Sequence, residues 1–161
     1  MKNLVIKICS LLFLSVITAS VFAQSEADLK AKIEKINKEM QAAMLSGNTS
    51  AGLAYYAEDA ISLPSYSKMA MGIEEIRKTN EQMMSSGMKL TKFETTTLMV
   101  SACQENILEI GTYSMSFSMD GAPAEMTDNG KYLTIWRTQP DGSLKIAVET
   151  WNSDTYPAMG M

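Results

Sequence analysis

The 161-residue chain contains no histidine. Histidine is the usual general base near neutral pH and the commonest metal ligand, so Ser-His-Asp and Cys-His catalysis and His-built zinc sites are excluded. Cysteine is scarce too, at two residues, Cys9 and Cys103. Basic side chains are outnumbered: 14 Lys and Arg against 18 Asp and Glu give a net charge of −4, where phosphate binding needs a basic surplus. No nucleic-acid partner is expected. The length fits one domain and leaves no room for a cofactor domain beside a substrate domain, so no cofactor is expected either. With 46% hydrophobic residues, disorder is excluded as well.

The first residues read as an address. Lys2 and Lys7 precede an apolar run from Ile8 to Ile17, roughly ten residues and too short for a permanent membrane span. Val21 and Ala23 occupy the small-residue positions that a signal peptidase reads, which predicts a signal peptide over 1–23 and one domain over 24–161. The expected location is periplasmic or extracellular, with no stable membrane anchor, since no stop-transfer flank follows. Cys9 lacks the small neighbour of a lipobox. Cleavage would leave Cys103 as the one cysteine, excluding an intrachain disulfide; it reads as a small, partly buried apolar residue rather than a nucleophile.

Ser25 with Asp28 predicts a helix cap, and Leu29, Ile33, Ile36, Met40 and Met44 then form one apolar stripe that Gly47 ends. Lys30, Lys32, Glu34, Lys35, Lys38 and Glu39 lie opposite as a solvated face. A short helix is predicted over Ser50 to Tyr56, an extended segment from Ala60 to Leu63 stopped by Pro64, and a third helix from Gly72 to Gly87. Beyond Met88, runs rich in Thr, Val, Ile, Tyr and Phe predict strands over Lys89–Val100, Asn106–Met119, Lys131–Thr138 and Leu144–Asn152. Asp120-Gly121 with Pro123, and Pro140-Asp141-Gly142, supply the turns of an antiparallel meander. Helices before a curved sheet make an α+β domain.

Three blocks carry a resemblance. Tyr55-Tyr56-Ala57-Glu58-Asp59-Ala60, then Gly72-Ile73-Glu74-Glu75-Ile76, then Asp141-Gly142-Ser143-Leu144-Lys145-Ile146 running into Trp151-Asn152-Ser153-Asp154 together resemble the nuclear transport factor 2-like superfamily in its SnoaL-like branch. The resemblance implies a cone: N-terminal helices packed on a curved, mostly antiparallel sheet around a cavity open at one end. Strand parity then sorts side chains. Tyr132, Thr134 and Trp136 form one row, and Lys145, Ala147, Glu149 and Trp151 another, both expected to face the cavity. Leu133, Ile135, Leu144, Ile146 and Val148 would form the convex face, too apolar for solvent, which predicts a homodimer through it.

Ketosteroid isomerase is the best-understood enzyme of this resemblance. Its helix-one tyrosine falls on Met40, its aspartate base on Leu63 or Pro64, and its protonated aspartate on Thr134. None of these can serve as strong donor, base or neutral acid, so isomerisation of ketosteroids is predicted absent. Glu149, between Trp136 and Trp151, remains the candidate catalytic acid or base; the alternatives are an ion pair with Lys145 or Arg137, or a register that points it outward. Asp59 is expected to satisfy backbone N–H groups, and Asp154 to form a turn near the rim. The 14 methionines raise a copper(I) reading, but they are scattered without histidine or cysteine and read as core and cavity lining.

The leading functional reading is a binding module that takes a small, largely apolar or aromatic molecule among Met40, Tyr56, Asn80, Tyr132, Thr134, Trp136 and Trp151. One alternative is a SnoaL-like isomerase or cyclase that transfers a proton through Glu149. A second is a dimeric protein-interaction domain, similar to the association domains of some kinases.

Overall fold

The computed structural model describes residues 25–121 and 124–155; the signal-peptide reading of 1–23 and the turn residue Pro123 lie outside them. Helix α1 spans Glu26–Leu45, α2 Thr49–Leu53 and α3 Ile73–Ser85. Strands are β1 Tyr56–Leu63, β2 Ala70–Met71, β3 Met88–Cys103, β4 Asn106–Met119, β5 Met126–Thr138 and β6 Leu144–Ser153. They form a six-stranded sheet in the order β2-β1-β6-β5-β4-β3, antiparallel except where β1 lies parallel to β6. The helices pack against the sheet as the sequence predicts for an α+β cone.

Helix α1 starts where its cap says it should: the Ser25 hydroxyl accepts from the Asp28 N–H at 3.1 Å. It stops before Gly47, whose φ of 71° L residues avoid. Helix α2 is shorter than predicted, and β1 begins at Tyr56 instead of Ala60. The reason is tertiary. The Ile146 N–H donates to the Tyr55 carbonyl at 2.8 Å, and Tyr56 pairs with Ile146, so the distant last strand pulls this segment into the sheet. β2 carries no local signal and exists because Ala70 and Met71 pair with Ser62 and Ile61.

The closed end of the cone is filled by Leu29 and Ile33 of α1 against Val100, Ile107, Trp136, Leu144 and Ile146. A second cluster joins Leu53, Ala57, Ala60, Ala70 and Ile76 under α3. Leu144 and Ile146 therefore do not lie on the convex face as parity predicts. A β-bulge explains the correction: Ile135 pairs with Val148 but Trp136 with Ile146, leaving Ala147 without a partner and reversing the facing of everything before it. By the same bulge Lys145 leaves the cavity, its ammonium donating to the Ala54 carbonyl, and Ala147 is not part of the cavity wall. Leu133, Ile135 and Val148 remain on the convex side, partly buried, with Leu108 and Ile110 of β4 paired beside them.

Two smaller expectations are also corrected. Asp59 lies inside β1 and takes both its bonds from the Arg137 guanidinium, at 2.8 and 3.1 Å, rather than from backbone N–H groups. That ion pair holds its carboxyl below the ordinary range. Cys103, at the end of β3, is exposed rather than partly buried. Asp154 receives the Lys131 ammonium at the sheet's end.

Candidate functional site

Cross-strand register stacks the concave side chains in layers. The lowest is Ile107–Trp136–Ile146–Tyr56, which belongs to the packed core apart from the half-buried Tyr56. Above it runs Val100–Glu109–Thr134–Glu149–Ser62, and above that Thr97–Gly111–Tyr132–Trp151. The next is Thr95–Tyr113–Gly130–Ser153. The helices close this stack from the other side with Asn37, Met40 and Met44 of α1 and Ile76, Asn80 and Met83 of α3. Between them lies a cavity of about 490 Å³.

Met40, Tyr56, Asn80, Tyr132, Thr134, Trp136, Glu149 and Trp151 all line it. Strand parity holds for Tyr132, Thr134, Trp136, Glu149 and Trp151 and fails for Lys145 and Ala147, since the bulge at Ala147 lies below Glu149 and leaves Glu149 and Trp151 facing inward. Met44, Met83, Met84, Met88 and Met115 join Met40 in the wall, with Phe93 and Phe117 towards the ends of β3 and β4. Met83 and Met84 are partly open to solvent, which marks that side as the mouth.

Glu149 sits in the layer just above the packed core. Its Oε2 accepts from the Tyr56 hydroxyl and its Oε1 from the Ser62 hydroxyl, both at 2.8 Å. Neither expected cation reaches it: Arg137 pairs with Asp59 and Lys145 binds the Ala54 carbonyl. Burial raises the Glu149 carboxyl above its ordinary value, and the two hydroxyls pull only partly the other way. The Tyr56 phenol is pushed up as well, by its own burial and by the carboxylate beside it.

The layer holds a second acid that sequence reasoning missed. Glu109 is 0% exposed. Its Oε1 accepts from Asn37 Nδ2 at 2.8 Å, Thr97 Oγ1 at 2.7 Å and the Tyr132 hydroxyl at 2.6 Å, and its Oε2 accepts from Trp136 Nε1 at 2.8 Å. Asn37, Tyr132 and Trp136 are cavity walls, so Glu109 fixes three of them from behind. The signal was present: Glu109 is the one charge in the run Ile107-Leu108-Glu109-Ile110, with the parity of Tyr113 and Met115. Ser62 and Asn37 carried no comparable mark.

Two glycines make the aromatic walls possible. A Cβ on Gly111 would lie 2.4 Å from the Tyr132 ring, its cross-strand partner, and one on Gly130 would lie 2.6 Å from the ring of its partner, Tyr113. Each tyrosine therefore lies over a glycine. Tyr132 reaches Glu109 from that position, and Tyr113 donates to Asp128 at 2.8 Å.

Comparison with known proteins adds the fold. No protein-family model and no curated protein sequence matches the chain. Solved structures do. A ketosteroid isomerase-like protein from Erwinia carotovora atroseptica superposes with a TM-score of 0.70 at 13% identity, covering 79% of this chain and 97% of its own. A nuclear transport factor 2-like superfamily protein from Salmonella enterica serovar Typhimurium gives 0.68 at 8% identity, over 84% and 98%. A protein from Catenulispora acidiphila in complex with S-DNPA gives 0.64 at 14% identity, over 80% and 95%. The chain has the nuclear transport factor 2-like fold.

Proposed function

We propose that the protein is an exported binding domain that takes a small, largely apolar molecule into its conical cavity, with Glu149 holding the molecule's polar end. The observation that carries this reading is the cavity itself: about 490 Å³, walled by aromatic rings and thioethers, with one charged side chain among its described residues. That is the size and composition of a ligand site. The complex of the Catenulispora acidiphila protein supports small-molecule binding within this fold. Export rests on the N-terminal sequence alone.

Native mass spectrometry of the purified protein tests the reading directly. A retained small molecule, or uptake of one from a hydrophobic library, is the expected result. A cavity that stays empty against the whole library would overturn it and favour the protein-interaction alternative. A homodimer through Leu133, Ile135 and Val148 would appear in the same spectrum as twice the chain mass, and Ile135→Lys should then return the monomer.

A second reading is favoured by one feature. A carboxyl that burial holds above its ordinary value, next to a phenol, is suited to proton transfer on a bound carbonyl compound. If the protein is such an enzyme, Glu149→Gln abolishes turnover while the fold survives. Ketosteroids themselves should not be isomerised, because Met40 and Thr134 line the cavity where that chemistry needs a phenol and an acid. Double-bond migration in a steroid assay would refute this.

A further inference from the structure

The charge arrangement of the cavity says more about its occupant than its size does. Among the described residues of its wall, Glu149 is the only charged side chain. The chain has no histidine, and the ion pairs among the described residues leave Glu149 without a cation. Its two hydrogen bonds come from neutral hydroxyls, one on each oxygen. A carboxylate offers about four lone-pair sites, so about two remain for whatever enters. Glu109 lies in the same cross-strand row beyond Thr134 and adds a second acid to that layer, again with neutral donors.

We propose, resting on the small-molecule reading above, that the ligand is an amphipathic organic cation: an ammonium head against Glu149, with an alkyl or aryl body running towards the methionines at the mouth. Three physical arguments favour this class over the others. An anionic head would meet a partly buried carboxylate and, among the described residues of the wall, no lysine or arginine. A neutral head would leave that carboxylate's lost hydration uncompensated, whereas a cation replaces it with an opposite charge in a medium where charges are poorly screened. The walls then suit the rest of the molecule: Tyr56, Tyr132 and Trp151 offer rings whose electron-rich faces attract ammonium groups, and Met83 and Met84 adapt to varied apolar bodies. An ammonium seated there would also draw the Glu149 carboxyl back down from its raised value.

The test uses three probes with one skeleton and different heads: 4-phenylbutylammonium, 4-phenylbutan-1-ol and 4-phenylbutanoate. Binding to the purified protein is followed by calorimetry and by tryptophan fluorescence, since both tryptophans of the chain line the cavity. The ammonium should bind at least about tenfold more tightly than the alcohol, and the carboxylate most weakly. Glu149→Gln should erase the ammonium's advantage over the alcohol, while Glu149→Asp retains part of it. Should Glu149→Gln fail to fold, the order of the three heads on the native protein decides alone. Equal binding of alcohol and ammonium, or tighter binding of the carboxylate, overturns the cation and leaves the cavity reading standing. Failure of all three probes to bind overturns the cation, and the cavity reading falls with it only if the hydrophobic library also leaves the cavity empty.

Discussion

At the residue scale, the cavity is built on tyrosine–carboxyl pairs: Tyr56 with Glu149, Tyr132 with Glu109 and Tyr113 with Asp128. Each spares a buried phenol from going unpaired, and each leaves a mark on stability. Replacing Glu109 by alanine strands four donors, two of them on the buried Thr97 and Trp136, and should cost at least about 3 kcal/mol in urea unfolding. Glu109→Gln keeps the shape but turns an amide NH₂ towards donors, so a loss of about 1–3 kcal/mol is expected. An unchanged urea midpoint in both variants would show that the network is not maintained in solution. Glu149 acts through pH. Its carboxyl is raised in the folded state above the ordinary 4.5, so the folded chain holds a proton that the unfolded chain has released. Its contribution is fully present below about pH 4.5 and is lost as pH rises through the folded value. Unfolding midpoints measured across that window should fall with rising pH more steeply for the native protein than for Glu149→Gln; parallel curves would remove the burial argument.

At the element scale, local signals and long-range pairing divided the work. Helices α1 and α3 and strands β4 and β6 start where their caps, periodicity and turn residues say, because those signals are internal to each segment. Ser25→Ala should therefore cost about 1 kcal/mol through the lost cap, read as a lower melting temperature, and no shift would mean that the first turn frays. The bulge at Ala147 and the early start of β1 are different. Both are decided by the partner strand, and a period-two reading of one strand has no way to register an extra residue opposite another. Gly111 belongs here too. Gly111→Ala places a methyl against the Tyr132 ring and 2.5 Å from the Thr96 carbonyl, which is backbone and cannot swing away. A loss of about 1–3 kcal/mol is expected, together with altered tryptophan fluorescence as Tyr132 is displaced from Glu109; wild-type stability would mean that the sheet opens there at no cost.

At the scale of the whole molecule, the cone shelters three phenols and their partner carboxyls from solvent, and alkaline unfolding should reveal it. Tyr56, Tyr113 and Tyr132 are all raised above the ordinary phenol value of 10, chiefly by burial and also by the adjacent carboxylates. Above about pH 10 the unfolded chain releases phenolic protons that the folded chain retains, so stability present below that pH is lost as it rises. Ultraviolet titration of the folded protein should show these three phenols ionising only as the chain unfolds. Ordinary titration of all six tyrosines in the native state would contradict the buried pairs. Charge sign also operates at this scale: the net charge of −4 and a cavity wall without lysine or arginine among the described residues act in the same direction, favouring approach of a positively charged ligand.

The amino-acid sequence by itself determined the absence of histidine chemistry, the α+β class, the concave placement of Tyr132, Thr134, Trp136, Glu149 and Trp151, and the methionine walls, because composition, periodicity and strand parity are properties of short segments. Only the tertiary structure decided which acids share a layer and which cations they lack. Arg137 went to Asp59 and Lys145 to the Ala54 carbonyl, leaving Glu149 to two hydroxyls. It also moved Leu144 and Ile146 from the convex face into the core through a single unpaired residue. Those outcomes depend on register between strands up to some ninety residues apart, and register is settled by the sum of cross-strand packing rather than by any one strand's pattern.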